Sequence, residues 1–67
     1  MTESTYKVIE IVGTSKSSWE DAAKSAVELA GKSVKDLRVA EVVKLDLTIE
    51  DGKVASYRTR LTLSFKY

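Results

Sequence analysis

The feature that most constrains this chain is the dipeptide Asp51-Gly52, set between two long alternating runs in the stretch Leu37 to Tyr67. A two-residue hairpin turn of type I′ needs positive φ at both central residues, and Asp-Gly supplies it at little steric cost. With the turn at residues 51 and 52, opposed residues sum to 103 and the register of the whole hairpin follows. One face carries Ala40 and Val42 opposite Leu63 and Leu61, with Tyr57 and Phe65 on the same side. The other carries Val39, Glu41, Val43, Leu45, Leu47 and Ile49, opposite Ser64, Thr62, Arg60, Arg58, Ser56 and Val54. A bulge in either strand would shift this register, because one extra residue moves every later side chain to the opposite face. The first face reads as a core. The second is too apolar for water and too charged for the interior of a monomer.

Upstream of the hairpin, Met1 to Ser4 is a polar start expected to fray. Thr5 to Val12 reads as a strand, with Tyr6, Val8 and Val12 on one face and Ile9 and Ile11 on the other; Glu10 interrupts the first. Gly13 to Ser18 reads as a turn and helix start. Ser17 with Glu20 fits a capping box, and Ser18 with Asp21 is a second candidate. The helix then runs to about Ala30. Trp19, Ala22, Ala23, Ala26, Val27 and Ala30 form one stripe, and its small residues imply close approach of helix to sheet. Glu20, Lys24, Glu28 and Lys32 alternate in sign along the opposite edge, and Gly31 is a natural stop.

The order strand, helix, strand, strand predicts an α+β fold, β-α-β-β, as a single domain over residues 1–67. The helix carries the chain back, so the second strand runs parallel to the first. The third fits between them, antiparallel to both. The result is a three-stranded sheet of order 1-3-2 with a right-handed crossover and one helix packed on one face. Nothing is left in the chain to cover the second face.

Size sharpens that point. A chain of 67 residues buries only about 60% of the surface it exposes when unfolded, and such chains usually need a staple. With no Cys and no His, disulfides and the usual zinc or copper ligands are excluded. Oligomerisation is left, or a hard cation such as calcium held by oxygen ligands. Five aliphatic side chains (Val39, Val43, Leu45, Leu47 and Ile49) are expected to point away from the helix, which marks an interface. The hairpin strands are also far longer than the usual 5 to 6 or so residues, as strands that reach into neighbours are. Eleven basic against 10 acidic residues, net +1, give no electrostatic footprint for nucleic acid or a membrane surface. No apolar run approaches the roughly 18 residues of a membrane span, and no basic-then-apolar leader is seen, so a cytoplasmic location is expected.

Chemistry-bearing residues are few. Gly31-Lys32-Ser33 imitates the end of a phosphate-binding loop, but it closes a helix instead of opening one, and Ala26 stands where the earlier glycine belongs. Without His or Cys the hydroxyls lack their usual base, so no triad or dyad is visible. Glu41 is an acid among aliphatics in mid-strand, expected to pair with Arg60 diagonally across the strands or with Arg58 of a neighbouring copy. Arg58 and Arg60 share a face and suit a phosphate, a planar ring or interface ion pairs. Asp46, Glu50 and Asp51 gather near the hairpin tip, without the spacing of a helix-loop-helix calcium loop, and read as a solvated turn. Trp19 reads as an anchor in the core or an interface. An enzyme acting on a small anionic ligand, with Glu41 as acid or base and Arg58 and Arg60 as clamps, is the alternative class. It lacks a tuned nucleophile or base, so a non-enzymatic binding protein is expected.

Tyr-Lys-Val-Ile-Glu-Ile-Val-Gly-Thr-Ser at 6–15, followed by Ser18-Trp19-Glu20-Asp21-Ala22-Ala23, resembles the opening of the dodecins. Val39-Ala40-Glu41-Val42-Val43 and the closing strand from Tyr57 to Phe65 are similar too. The resemblance implies a hollow spherical homododecamer that binds and stores a small molecule, typically a flavin (riboflavin, FMN or FAD) stacked in pairs near two-fold axes. It also implies a Trp directly before the Ala-Glu pair that stacks on the isoalloxazine ring, and a Gln after the third-strand Tyr that hydrogen-bonds it. Here those positions hold Val39 and Arg58, so the resemblance implies a flavin site at Val39, Glu41, Arg58 and Arg60 with weakened or lost flavin binding. A Trp-lacking type sharing Ser-Trp-Glu at the helix start, the calcium dodecins, is similar as well. It implies oxygen ligands for calcium between Gly13 and Glu20, with Glu20 the nearest carboxylate.

Overall fold

The computed structural model describes residues 5–67; Met1 to Ser4, expected to fray, lie outside the described residues. Four elements follow in chain order: β1 (Tyr6–Ser15), α1 (Trp19–Ala30), β2 (Leu37–Glu50) and β3 (Lys53–Lys66). The sheet order is β1-β3-β2, with β3 antiparallel to both neighbours. The β-α-β-β topology therefore matches the expectation. Asp51 at φ 52 and Gly52 at φ 75 close the hairpin with both central residues in the left-handed region, as a type I′ turn requires.

The helix starts at the second of the two candidate caps, one residue later than Ser17 would set it. Ser18 is the N-cap: its side-chain oxygen accepts from the Asp21 N–H at 3.0 Å. Ser15 organises the preceding loop. Its hydroxyl accepts from the Ser17 N–H at 2.9 Å and donates to the Asp21 carboxylate at 2.7 Å. Glu20 and Asp21 both stand in the first turn, where the helix dipole favours carboxylates. At the other end Gly31 caps the helix from the right-handed region, at φ −64, so its conformational freedom is not what stops the helix.

β1 extends beyond the expected Val12, through Gly13, Thr14 and Ser15. The cause is local packing. Gly13 lies directly beneath α1, and a Cβ there would collide with the Ala22 carbonyl oxygen and sit 2.8 Å from the Ala26 Cβ. The glycine lets the helix lie close on the strand, which then continues past it. The core is small: Ala22, Leu61 and Leu63 are buried, together with Thr59, whose hydroxyl donates to the Trp19 carbonyl at 2.9 Å.

The hairpin register differs from the expected one in its middle. Pairs sum to 103 from Val39↔Ser64 to Val42↔Leu61, and again at Ile49↔Val54 and Glu50↔Lys53. Between these, a bulge at Val43 shifts the pairing to Lys44↔Arg60, Asp46↔Arg58 and Thr48↔Ser56. Leu45, Leu47 and Ile49 thereby turn to the helix side of the sheet, opposite Thr59, Tyr57 and Val54. Of the five aliphatics expected on the uncovered face, Val39 is there, Val43 occupies the bulge, and the other three are on the helix side. Asp46 makes the opposite move, out of the helix side and onto the open face.

The apolar surface without a cover is still present, in a different place. A 12-residue helix spans about 18 Å, and 14-residue strands span about 46 Å. The helix starts beside Asp46 and covers only the end of the hairpin distal to its turn. Leu47, Ile49 and Val54 lie past its first turn, and Ile49 is 65% exposed. The molecule is correspondingly elongated, 56 × 20 × 14 Å.

Candidate functional site

The open face of the sheet is built in rows. β1 supplies Val8, Glu10, Val12 and Thr14; β3 supplies Ser64, Thr62, Arg60 and Arg58; β2 supplies Val39, Glu41, Lys44 and Asp46. One row holds Glu10, Thr62 and Glu41, the next Val12, Arg60 and Lys44, and the next Thr14, Arg58 and Asp46. Acidic and basic rows thus lie side by side, and the face is more polar than the expected register made it.

The expected ion pair between Glu41 and Arg60 does not form. Arg60 Nη1 lies 3.6 Å from the Glu10 carboxylate instead. Glu10 and Glu41 flank Thr62 in the same row, one row from Arg60, and the Arg60 side chain turns to the β1 side. Glu41 itself is exposed, so it does not form the floor of an enclosed pocket.

Arg58 has a stronger partner. Its Nε donates to Asp46 Oδ1 at 2.7 Å and its Nη2 to Asp46 Oδ2 at 3.0 Å, a two-pronged contact. That hydrogen-bonded guanidinium holds the Asp46 carboxyl below the usual carboxylate value, and Asp46 in turn raises Arg58. The sequence reading missed Asp46 because it placed this residue in a solvated tip. The bulge at Val43 is what brings it opposite Arg58, and the signal that finds it is the matching of opposite charges across the strands one residue out of register.

Val39, Glu41, Arg58 and Arg60 all lie on this face, as expected. They do not form one compact site. Val39 faces Ser64, six residues along β3 from Arg58, or about 20 Å. A small ligand touching both must draw them from two copies of the chain. No aromatic ring belongs to the middle rows of the face: the residues there are Glu10, Val12, Thr14, Arg58, Arg60, Thr62, Glu41, Lys44 and Asp46. Val39 is aliphatic and 58% exposed. A flavin stacking site of the kind that the dodecin resemblance implies therefore does not fit these residues.

Glu20 is not part of this face. It sits exposed in the first turn of α1, beside a cavity of about 290 Å3 lined also by Trp19, Ala23, Val42, Leu45 and Thr59. Trp19 closes that region: its indole N–H donates to the Asp46 carbonyl at 3.0 Å, and its ring meets Tyr57 edge-on at 5.3 Å. Among the described residues no three carboxylates converge on a point. Calcium takes 6 to 8 or so oxygens, so the described side chains of one copy do not supply a complete shell. No helix among the described residues is long and apolar enough to cross a membrane.

Comparison with known proteins places this geometry. The family model described as Dodecin matches residues 5–67. A protein named Calcium dodecin, from Mycobacterium tuberculosis, is 49% identical over 63 residues, covering 94% of this chain and 89% of the relative. A crystal structure of calcium dodecin from that organism, described as having a novel calcium-binding site, superposes with a TM-score of 0.84 at 50% identity, over 94% of this chain and 90% of that one. A dodecin from Streptomyces coelicolor superposes with a TM-score of 0.93 at 37% identity, over 100% of this chain and 96% of the other.

Proposed function

The chain belongs to the dodecin family, and from that premise we propose that it is a non-enzymatic, small-ligand-binding protein that works as a closed homododecamer. The observation that carries the reading is the mismatch between helix and hairpin. Past Trp19 the hairpin exposes Leu47, Ile49 and Val54, and a second copy of the same elongated shape covers them along their length. The proposed ligand surface is the open face, with Val39 and Glu41 from one copy and Arg58 and Arg60 from another. Flavin binding there is weak, because Val39 offers no ring to stack on and Asp46 occupies Arg58.

Similarity to the protein named Calcium dodecin favours a second ligand, calcium at the start of α1. Glu20 is the carboxylate proposed for it. Backbone carbonyls, waters or a neighbouring copy supply the remaining oxygens.

The test is a solution mass with two titrations. Twelve chains of 7.4 kDa give a particle of about 89 kDa. A stable monomer overturns the cage. For the ligand, riboflavin is followed by quenching of its fluorescence and calcium by the thermal shift between calcium and chelator. A calcium shift lost in Glu20→Gln supports the metal reading, and one unchanged in that variant removes Glu20 from it.

A further inference from the structure

An arginine on an exposed sheet face is normally available to phosphate, because its planar fork matches two phosphate oxygens. On this face Lys44 stands directly across the strands from Arg60, with Arg58 two residues along. Such a cluster of positive charge would attract an anionic ligand if it were free. It is not free. Glu10 reaches Arg60 at 3.6 Å, and Asp46 occupies the Nε–Nη2 edge of Arg58 at 2.7 and 3.0 Å.

We infer that Asp46 is the specificity-determining residue of the open face: its carboxylate fills the place on Arg58 that a phosphate would take and so closes the face to anionic ligands. The inference rests on the reading of the open face as the ligand surface. Three observations support it. The Asp46 oxygens adopt the two-pronged geometry by which arginine grips a phosphate, so the competition is for the same N–H groups. Both side chains remain part-exposed, at 38% and 45%, so a dissolved ligand reaches them. The backbone of Asp46 is anchored separately, through its carbonyl to Trp19, so removing the carboxylate charge leaves that anchor in place.

That separation makes the test clean. Asp46→Asn keeps the carbonyl and its bond to Trp19 while removing the charge opposite Arg58. Native protein, Asp46→Asn and Asp46→Asn/Arg58→Gln are titrated with pyrophosphate by calorimetry at fixed ionic strength, each after its assembly mass is checked. Asp46→Ser, which is smaller and also uncharged, serves if the asparagine variant does not assemble. Native protein is expected to bind at least roughly tenfold more weakly than Asp46→Asn, and the double variant is expected to lose the gain. The inference is overturned if native protein binds as tightly as the single variant, if the single variant gains nothing, or if the gain persists without Arg58. Riboflavin titrated against Val39→Trp in the same series separates the two readings. A riboflavin affinity that this variant leaves unmoved counts against the open face as ligand surface, whatever the pyrophosphate result.

Discussion

The indole N–H of Trp19 donates to the main-chain carbonyl of Asp46 at 3.0 Å, across 27 positions of sequence. One hydrogen bond thus joins the first turn of α1 to the stretch of β2 just past the bulge. The same residue gives its own carbonyl to the buried Thr59 hydroxyl and meets Tyr57 edge-on. Trp19→Phe keeps a ring for Tyr57 and loses the hydrogen bond, so a loss of about 1 kcal/mol is expected. Trp19→Ala also loses the packing and should cost about 3 kcal/mol. Denaturant unfolding at fixed protein concentration checks both; equal losses would mean that the hydrogen bond, not the ring, carries the contact.

Two glycines serve different ends, and alanine separates them. At Gly52 the backbone sits at φ 75 with nothing within 4 Å of an added Cβ, so the cost is conformational, about 1 kcal/mol. At Gly13 the backbone is ordinary, but the Cβ meets Ala22 and Ala26. Overpacking at so close a contact of helix and strand should cost about 3 kcal/mol. Melting curves of Gly13→Ala and Gly52→Ala should therefore differ clearly, with Gly13→Ala the lower. The reverse order would show that helix and strand part easily.

The type and order of the elements, the turn at Asp51-Gly52 and the alanine stripe were all legible in the sequence, because each follows from a local rule: period, turn chemistry or small-residue packing. The middle register was not. A bulge costs one residue and carries no residue type of its own, and Val43 looks like any other strand valine. That single insertion decided which side Asp46, Leu45, Leu47 and Ile49 occupy. The reading of the open face erred for this reason: three of its aliphatics belonged to the other side, and its strongest ion pair was hidden in what looked like a solvated tip. Register sets Glu10 and Glu41 in one row on either side of Arg60's strand, and strand alternation does not say which of the two Arg60 meets.

The Asp46–Arg58 pair makes a pH prediction. The hydrogen bond from Arg58 holds the Asp46 carboxyl below its ordinary value, against the opposing effect of burial and with lesser help from the charges of Arg58, Arg60 and Lys44. A depressed folded-state value means a stabilisation fully present above the unfolded value, about 3.9, and lost as pH falls through the lower folded one. Arg58 is raised by the same contact, so its share fades only in strong alkali. Asp46→Asn should therefore be less stable than native protein at pH 6 to 8, and the gap should close as pH falls below about 4. The measurement is thermal stability of both proteins across that range; a gap that does not depend on pH would show that the pair contributes nothing as an ion pair.

The uncovered end of the hairpin makes a prediction about assembly. Ile49 and Leu47 are exposed on the helix side past the reach of α1. If that surface is where copies meet, Ile49→Glu should leave the subunit's own core untouched, because Ile49 contributes nothing to it, yet lower the solution mass. A charge left in an apolar interface costs several kcal/mol per site, enough to split a particle held by many repeated contacts. Light scattering gives the mass and circular dichroism the fold. An Ile49→Glu particle of unchanged mass would move the interface elsewhere.

Riboflavin tests the open face most directly. Val39 presents an aliphatic side chain, 58% exposed, where the dodecin resemblance puts a stacking ring. Stacking on an aromatic side chain is worth about 1 to 3 kcal/mol, or roughly 5- to 100-fold in affinity for each ring. Native protein should therefore bind riboflavin far more weakly than Val39→Trp, and purified native protein should be colourless. Because Val39 and Arg58 lie far apart on one subunit, the gain also requires that a second copy complete the site. Fluorescence quenching on titration with riboflavin reads the affinity, and the mass of each sample shows whether the copies are together. Submicromolar binding by native protein would mean that an aliphatic floor suffices. A Val39→Trp variant that assembles and gains nothing would mean that residue 39 does not face the ligand.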